Sequence, residues 1–226
     1  MKINWGALVV DGRNKIGGHV ASKNRGGSYL RTKVSPSQPS STYTAAIRSR
    51  LAAISAGWRA LTEAQRLAWN DAVGSFKKTD IFGNSRNPSG FNLHQELNNN
   101  LVNVGTAQIT TPPLPAAVAT MSSASFVAVH AGAMTITYAP VIPAGEKFLV
   151  RATPALSPGK NFVKSELRQI QVIAAADVSP LVVTAAYGTK YGAVGAAGQK
   201  IFVELVPVNS VTGQKGRPIL MSAIIS

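Results

Sequence analysis

Two proline-containing segments divide this chain of 226 residues into three parts with different residue patterns. Residues 35–40 read SPSQPS and residues 110–115 read TTPPLP. Because proline fixes φ and lacks an amide N–H, neither segment can continue a helix or a central strand. We therefore expect a Gly-rich arm over residues 1–40, a helical unit over 41–109 and a β domain over 110–226.

Positive charge is concentrated in the first third of the chain. Residues 1–78 contain 13 basic and 3 acidic side chains, net +10, whereas residues 79–226 contain 10 and 6, net +4. Such an excess predicts a negatively charged partner, which is nucleic acid, an acidic protein surface or an anionic membrane. The candidate partner- or phosphate-binding residues are Arg13, Lys15, Lys23, Arg25, Arg31 and Lys33.

The arm is expected to be extended or β-structured. Residues 18–20 and 29–34 alternate between apolar and polar side chains, and the NRGG sequence at 24–27 is typical of a hairpin turn. Three interpretations stay open: nonspecific contact with phosphates, docking on an acidic patch of a neighbouring subunit, or a solvated tail. Only Trp5 and Tyr29 are available for base stacking, which does not favour a dedicated single-strand binder.

The middle part has the periodicity of three helices, predicted over residues 41–57, 62–73 and 89–105. Thr62 and Gln65 have the spacing of a capping box at the start of the second helix. The apolar face of the first helix is predicted to be Ile47, Leu51, Ile54 and Trp58.

We expect large side chains to stabilise so small a helical unit. The predicted anchors are Trp58, Leu61 and Trp69, and an interface role for the two tryptophans is the alternative. Leu67 is also expected on the buried face of the second helix.

The last part has the texture of an antiparallel β domain. Seven short strands are predicted, separated mostly by turn signals, at 125–129, 134–139, 147–153, 168–173, 181–184, 201–206 and 218–224. This number of strands in about 110 residues is typical of a sandwich of the immunoglobulin or fibronectin type. The expected fold class is thus α+β in several parts: a basic extended or β arm, a small helical unit and a C-terminal sandwich.

Several functional classes lack their signatures. The three histidines, His19, His94 and His130, have no carboxylate or second histidine at ligand spacing, and no nucleophile-elbow or phosphate-loop motif is present. Without cysteine, neither a disulfide nor a cysteine-based zinc site can form. We expect a non-enzymatic protein that needs neither metal nor cofactor.

Membrane insertion is not expected either. The sequence contains no stretch approaching 18 apolar residues and no signal-peptide pattern at its N-terminus. We expect synthesis in the cytoplasm and no membrane partner.

Two long motifs give the chain a family resemblance. The first is GG-x-x-x-x-x-N-R-G-G over residues 17–27, followed by Arg31, Pro36 and Pro39, and the second is W-x-x-L-T-x-x-Q-R-x-x-W over residues 58–69. Together they make residues 12–72 resemble a group of virion proteins of tailed bacteriophages and prophages. The fibronectin-like texture of the C-terminal half is also similar.

The resemblance implies a virion structural protein of unspecified position, and it carries over no catalytic residue. We expect a capsid-associated, connector or tail component that stabilises the particle through its basic arm. The expected partners are other virion proteins, further copies in a symmetric assembly, and packaged DNA. The alternatives are a nonspecific nucleic-acid-binding protein and an adhesive or carbohydrate-binding particle protein, for which Tyr187 and Tyr191 are the candidate aromatic contacts.

Overall fold

The computed structural model describes residues 1–6, 11–34 and 41–226. Within these ranges the fold is α+β, with four α-helices and four antiparallel sheets. The linker predicted over residues 35–40 lies outside the described residues.

The N-terminal part is a small sheet of three strands in the order β1-β2-β3. Its strands are β1 (Asn14–Ile16), β2 (His19–Asn24) and β3 (Gly27–Thr32). The chain terminus adds to the free edge of β3, because the Leu30 amide donates to the Met1 carbonyl at 2.7 Å and the Ile3 amide donates to the Ser28 carbonyl at 3.1 Å. The predicted turn at 24–27 connects β2 to β3, whereas β1 was not predicted.

Three helices follow: α1 (Thr42–Ala60), α2 (Glu63–Ala72) and α3 (Gly90–Asn103). A 3-10 turn (Val73–Ser75) and a two-stranded hairpin, β4 (Lys78–Thr79) and β5 (Ser85–Arg86), lie between α2 and α3. The helix starts are those that the sequence predicts. Ser41, Thr62 and Ser89 are the N-caps, and the capping box of Thr62 with Gln65 is formed in both directions.

The predicted apolar faces of α1 and α2 are partly wrong. Ile47 and Leu51 are 43% and 52% exposed, because the side chains that pack on α1 gather around Trp58 near its C-terminal end. Leu67 is 59% exposed and Trp69 is fully buried. Side chains that are two positions apart on a helix point about 200° apart, so Leu67 and Trp69 cannot face the same core.

All seven strands predicted in the last part are present. They are β6 (Ser123–Ala128), β7 (Met134–Ala139), β8 (Glu146–Ala152), β9 (Arg168–Ala174), β10 (Leu181–Val182), β11 (Lys200–Asn209) and β12 (Ile219–Ile224). They form two antiparallel sheets, of orders β10-β7-β6 and β12-β11-β8-β9. A short helix that was not predicted, α4 (Thr184–Tyr191), follows β10.

The two sheets share one hydrophobic core. Phe126 and Ile136 of the smaller sheet and Val150, Val203 and Leu205 of the larger sheet belong to the same buried cluster. Alternation along each strand explains this arrangement, since every second side chain of a strand points to the same face.

Helix α3 packs on the larger sheet and the loop between β11 and β12. The buried Asn100 side chain donates to the Gly213 carbonyl at 2.8 Å, and the Lys147 ammonium donates to the Val104 carbonyl at 2.9 Å. These contacts connect the helical unit to the β domain. Across the described ranges, no helix is long and apolar enough to cross a membrane.

Candidate functional site

The three-stranded sheet displays the basic residues with little core beneath them. Its register aligns Lys15 of β1, Val20 of β2 and Arg31 of β3 in one cross-strand row. Ala21, at 2% exposure, is the only buried residue of the three strands, since a sheet this small covers little area. Main-chain pairing and the two tight turns, more than side-chain burial, therefore order this part of the chain.

The six predicted cations are all exposed, but they do not form a single cluster. Lys15 and Arg31 share one face, about 10 Å apart across two strand spacings. Lys23 lies three positions after Val20 on β2, so its side chain points to the other face. Arg25 lies in the turn. Lys33 follows β3, where its amide donates to the Gly18 carbonyl at 2.9 Å.

One of the six cations already has an acidic partner. The Arg13 side chain lies 3.3 Å from the Asp11 carboxylate, with both groups largely exposed. A surface pair of this kind contributes little to stability, and it leaves less charge for an outside partner. The remaining five have no carboxylate partner in the described part of the chain.

The sheet is held against the β4–β5 hairpin by an ion pair that the sequence did not predict. The Lys2 ammonium lies 3.4 Å from the Asp80 carboxylate. Burial alone would raise the pKa of Asp80, but the backbone amides of Asn84 and Phe82, which donate to its carboxylate, and the Lys2 ammonium together lower that pKa. The carboxylate thus stays ionised and holds the N-terminal residues around Lys2 in place.

The helical unit places its predicted anchors around a small core. Trp69 is fully buried, Leu61 is 5% exposed and Trp58 is partly buried beside them. The Trp69 indole N–H donates to the Thr110 carbonyl at 2.8 Å, so α2 is tied to the segment that leads into the β domain. These positions make Trp69 a packing residue and leave only part of Trp58 open to a partner.

His94 lies between the two tryptophans, a placement that the sequence analysis missed. Its ring centroid is 5.3 Å from that of Trp58 and 5.1 Å from that of Trp69, with edge-to-face geometry in both cases. Burial lowers the pKa of His94, and its Nδ1 has no hydrogen-bond partner among the residues that the structure describes. A useful signal was available, because His94 precedes Leu97 by three residues and so shares the apolar face of α3.

The other two histidines lie outside the helical unit. His19 is exposed on β2, and His130 contacts the Gly195 carbonyl at 3.0 Å through its Nδ1. Among the described residues, no group of three or more His, Asp or Glu side chains is arranged to hold a metal ion.

The two tyrosines expected as contacts of an adhesive protein do not lie on loops. Tyr187 and Tyr191 both lie in α4, and Tyr187 is 1% exposed. Burial raises the pKa of Tyr187 to about 12. The Tyr191 hydroxyl donates to the Ala152 carbonyl at 2.8 Å, so this side chain also serves the packing of the β domain.

Comparison with known proteins yields little. No protein-family model matches the chain, and no curated protein matches it. A match among solved structures is the β-1,2-glucanase from Parabacteroides distasonis, with 13% sequence identity and a TM-score of 0.29. The match covers 50% of this chain and 14% of the glucanase chain. At that TM-score the likeness supports neither a common fold nor a common activity.

Proposed function

We propose that this chain is a structural component of a bacteriophage particle, associated with the capsid, the connector or the tail. The observation that carries the proposal is the small N-terminal sheet. On both of its faces it displays cations that have no carboxylate partner among the described residues. Lys15 and Arg31 lie on one face and Lys23 on the other. A sheet of this kind can lie between two acidic neighbours and stabilise their contact.

For the β domain we infer a sandwich of the immunoglobulin or fibronectin type. The sheet order supports this inference, because the first, second and fifth strands of the domain form one sheet and the third, sixth and seventh lie together in the other. The fourth strand, β9, pairs with β8 in the larger sheet, which differs from the constant antibody arrangement. Such domains commonly mediate contacts, although the fold alone does not define a function.

The proposed partners follow from this placement. They are other virion proteins, further copies of this chain in a symmetric assembly, and packaged DNA. We propose no enzymatic activity and no membrane partner, and the place of action is the virion after synthesis in the host cytoplasm. In a symmetric particle many weak contacts act together, so each interface can be small.

The test is incorporation into particles. A variant that neutralises one part of the sheet carries Lys15→Gln, Arg31→Gln and Lys33→Gln. The matched control removes the same charge from exposed positions of the β domain and carries Lys164→Gln, Lys190→Gln and Arg217→Gln. Each variant is expressed during particle assembly, and the chain is quantified by immunoblotting in gradient-purified particles.

We expect the sheet variant to incorporate several-fold less than wild type and the control to incorporate normally. Deletion of residues 1–34 should abolish incorporation and leave the β domain folded. Normal incorporation of the sheet variant or of the deletion would contradict the proposal. Purified wild-type protein is expected to form a defined homo-oligomer in light scattering.

A further inference from the structure

A pocket of about 190 Å³ lies where the β2–β3 turn meets the segment that precedes α3. The turn contributes Arg25 and Gly26, and the second segment contributes Arg86, with Ser89 and Asn92 at the start of α3. The pocket thus joins two parts of the chain that are sixty residues apart in sequence. Arg86 was not among the residues that the sequence singled out.

The pocket brings together two cations without a counter-charge. Neither Arg25 nor Arg86 forms an ion pair with any described residue, and no Asp or Glu lines the pocket. The segments 7–10 and 35–40 contain no acidic residue either. Two like charges that share a pocket repel each other, and a bound anion would remove that repulsion.

The turn is shaped to admit the Arg86 side chain. A Cβ added to Gly26 would lie 2.8 Å from Nη1 of Arg86 and 3.2 Å from Oδ1 of Asn24. Only glycine therefore lets the guanidinium lie this close to the turn. The Gly26 amide also donates to Oδ1 of Asn24 at 2.8 Å, which fixes the turn beneath the guanidinium.

The chemistry of the lining matches an oxyanion. A guanidinium group presents a planar set of N–H donors that suits the oxygens of a phosphate, often through two parallel hydrogen bonds. The β2–β3 turn supplies one such group, from Arg25, and the segment before α3 supplies the other, from Arg86. Ser89 and Asn92 add neutral side chains that can donate, and Pro88 is the only apolar side chain among the described residues that line the pocket.

We propose that Arg25 and Arg86 form a clamp for one phosphate group of a nucleic-acid backbone. The neighbouring hairpin favours a polyanion over a free phosphate, because Lys23 is exposed on β2 two residues before Arg25 and can meet a further phosphate. The pocket is lined by no ring on which a base could stack, so binding is independent of sequence. This contact goes beyond a role in protein assembly and does not depend on it.

The salt dependence of DNA binding tests the clamp. Each phosphate contact makes the logarithm of the affinity fall with the logarithm of salt by about 0.9, so a fourfold rise in salt weakens binding about 3.5-fold per contact. Binding of a short DNA duplex to the full chain is measured by fluorescence anisotropy over a series of salt concentrations. The variants are Arg86→Gln and Arg25→Gln, and the matched control is the exposed Arg217→Gln in the β domain.

We expect each single clamp variant to weaken binding several-fold at low salt. The double variant Arg25→Gln with Arg86→Gln loses the phosphate contact and should reduce the slope by about 0.9, whereas the control keeps the wild-type slope. Gly26→Ala should weaken DNA binding as Arg86→Gln does, because its methyl group displaces the Arg86 guanidinium. It should leave the thermal unfolding of the protein nearly unchanged, since the displaced group is the end of an exposed, flexible side chain.

Wild-type affinity in both single variants, an unchanged slope in the double variant, or a wild-type protein that does not bind DNA would overturn the clamp. Inorganic phosphate is titrated in parallel by NMR. If phosphate alone shifted the Gly26 amide while the DNA slopes of the variants stayed at the wild-type value, the pocket would be a free-phosphate site and the nucleic-acid assignment would be wrong. Particle incorporation of Arg86→Gln is measured separately, so failure of the clamp is distinguishable from failure of the proposed assembly role.

Discussion

Replacement of Trp69 by phenylalanine tests how the helical unit is held to the rest of the chain. Trp69 is fully buried, and its indole N–H donates to the Thr110 carbonyl at 2.8 Å. Phenylalanine keeps an aromatic ring beside His94 but removes the donor and part of the ring volume. Loss of the hydrogen bond costs about 1 kcal/mol, and the space left by the smaller ring costs about another 1 kcal/mol.

We therefore expect Trp69→Phe to lower the free energy of unfolding by roughly 2 kcal/mol. The full replacement Trp69→Ala should cost about 3–5 kcal/mol. The measurement is urea denaturation followed by the helical circular dichroism signal, which does not depend on the tryptophan removed.

The matched control is Leu67→Ala on the same helix. Leu67 is 59% exposed, so its truncation should change the unfolding free energy by no more than about 0.5 kcal/mol. A Trp69→Phe variant as stable as wild type would refute the packing argument. So would a Leu67→Ala variant that loses as much stability as Trp69→Phe.

Three further outcomes are expected. Burial lowers the pKa of His94 in the folded protein, so the unfolded chain binds its proton more readily. The stability that neutral His94 contributes is therefore present above about pH 6.5 and is lost as pH falls below that value. His94→Gln should flatten this pH dependence, measured by urea denaturation. Thr62→Ala should destabilise α2 by about 1 kcal/mol in the same assay, since it breaks the capping box with Gln65, and an unchanged midpoint would speak against that box. Gly213→Ala should cost about 2 kcal/mol or more in thermal unfolding, because φ is +74° and an added Cβ would overlap the Leu97 carbonyl; a neutral result would contradict the packing of α3 on this loop.

Local patterns determined most of the secondary structure. The seven strands of the β domain follow from alternation and turn residues, and three helix starts follow from Ser41, Thr62 and Ser89. These signals act over a few residues and depend on main-chain hydrogen bonds at fixed spacing, so they can be read without knowing the tertiary contacts. The short helix α4 was missed because no side chain caps it.

The apolar periodicity predicted only some of the buried residues on the helices. Ile54 is fully buried, as expected, but Ile47 and Leu51 of the same predicted face are exposed. Periodicity defines which residues share a face, and it does not define how far along that face a neighbouring helix extends. The position of Leu67 was a different case, since its angle to Trp69 could have excluded it from the core.

The basic character of the N-terminal part was determined by the sequence, together with two of its three strands and the turn between them. How Lys15, Lys23 and Arg31 divide between the two faces depends on the strand register, which the alternation alone did not give. The contact of Lys2 with Asp80 and the meeting of Arg25 with Arg86 were decided by the tertiary structure. Side chains separated by about sixty to eighty residues meet only when the intervening elements pack, and no local pattern in a single sequence records that packing.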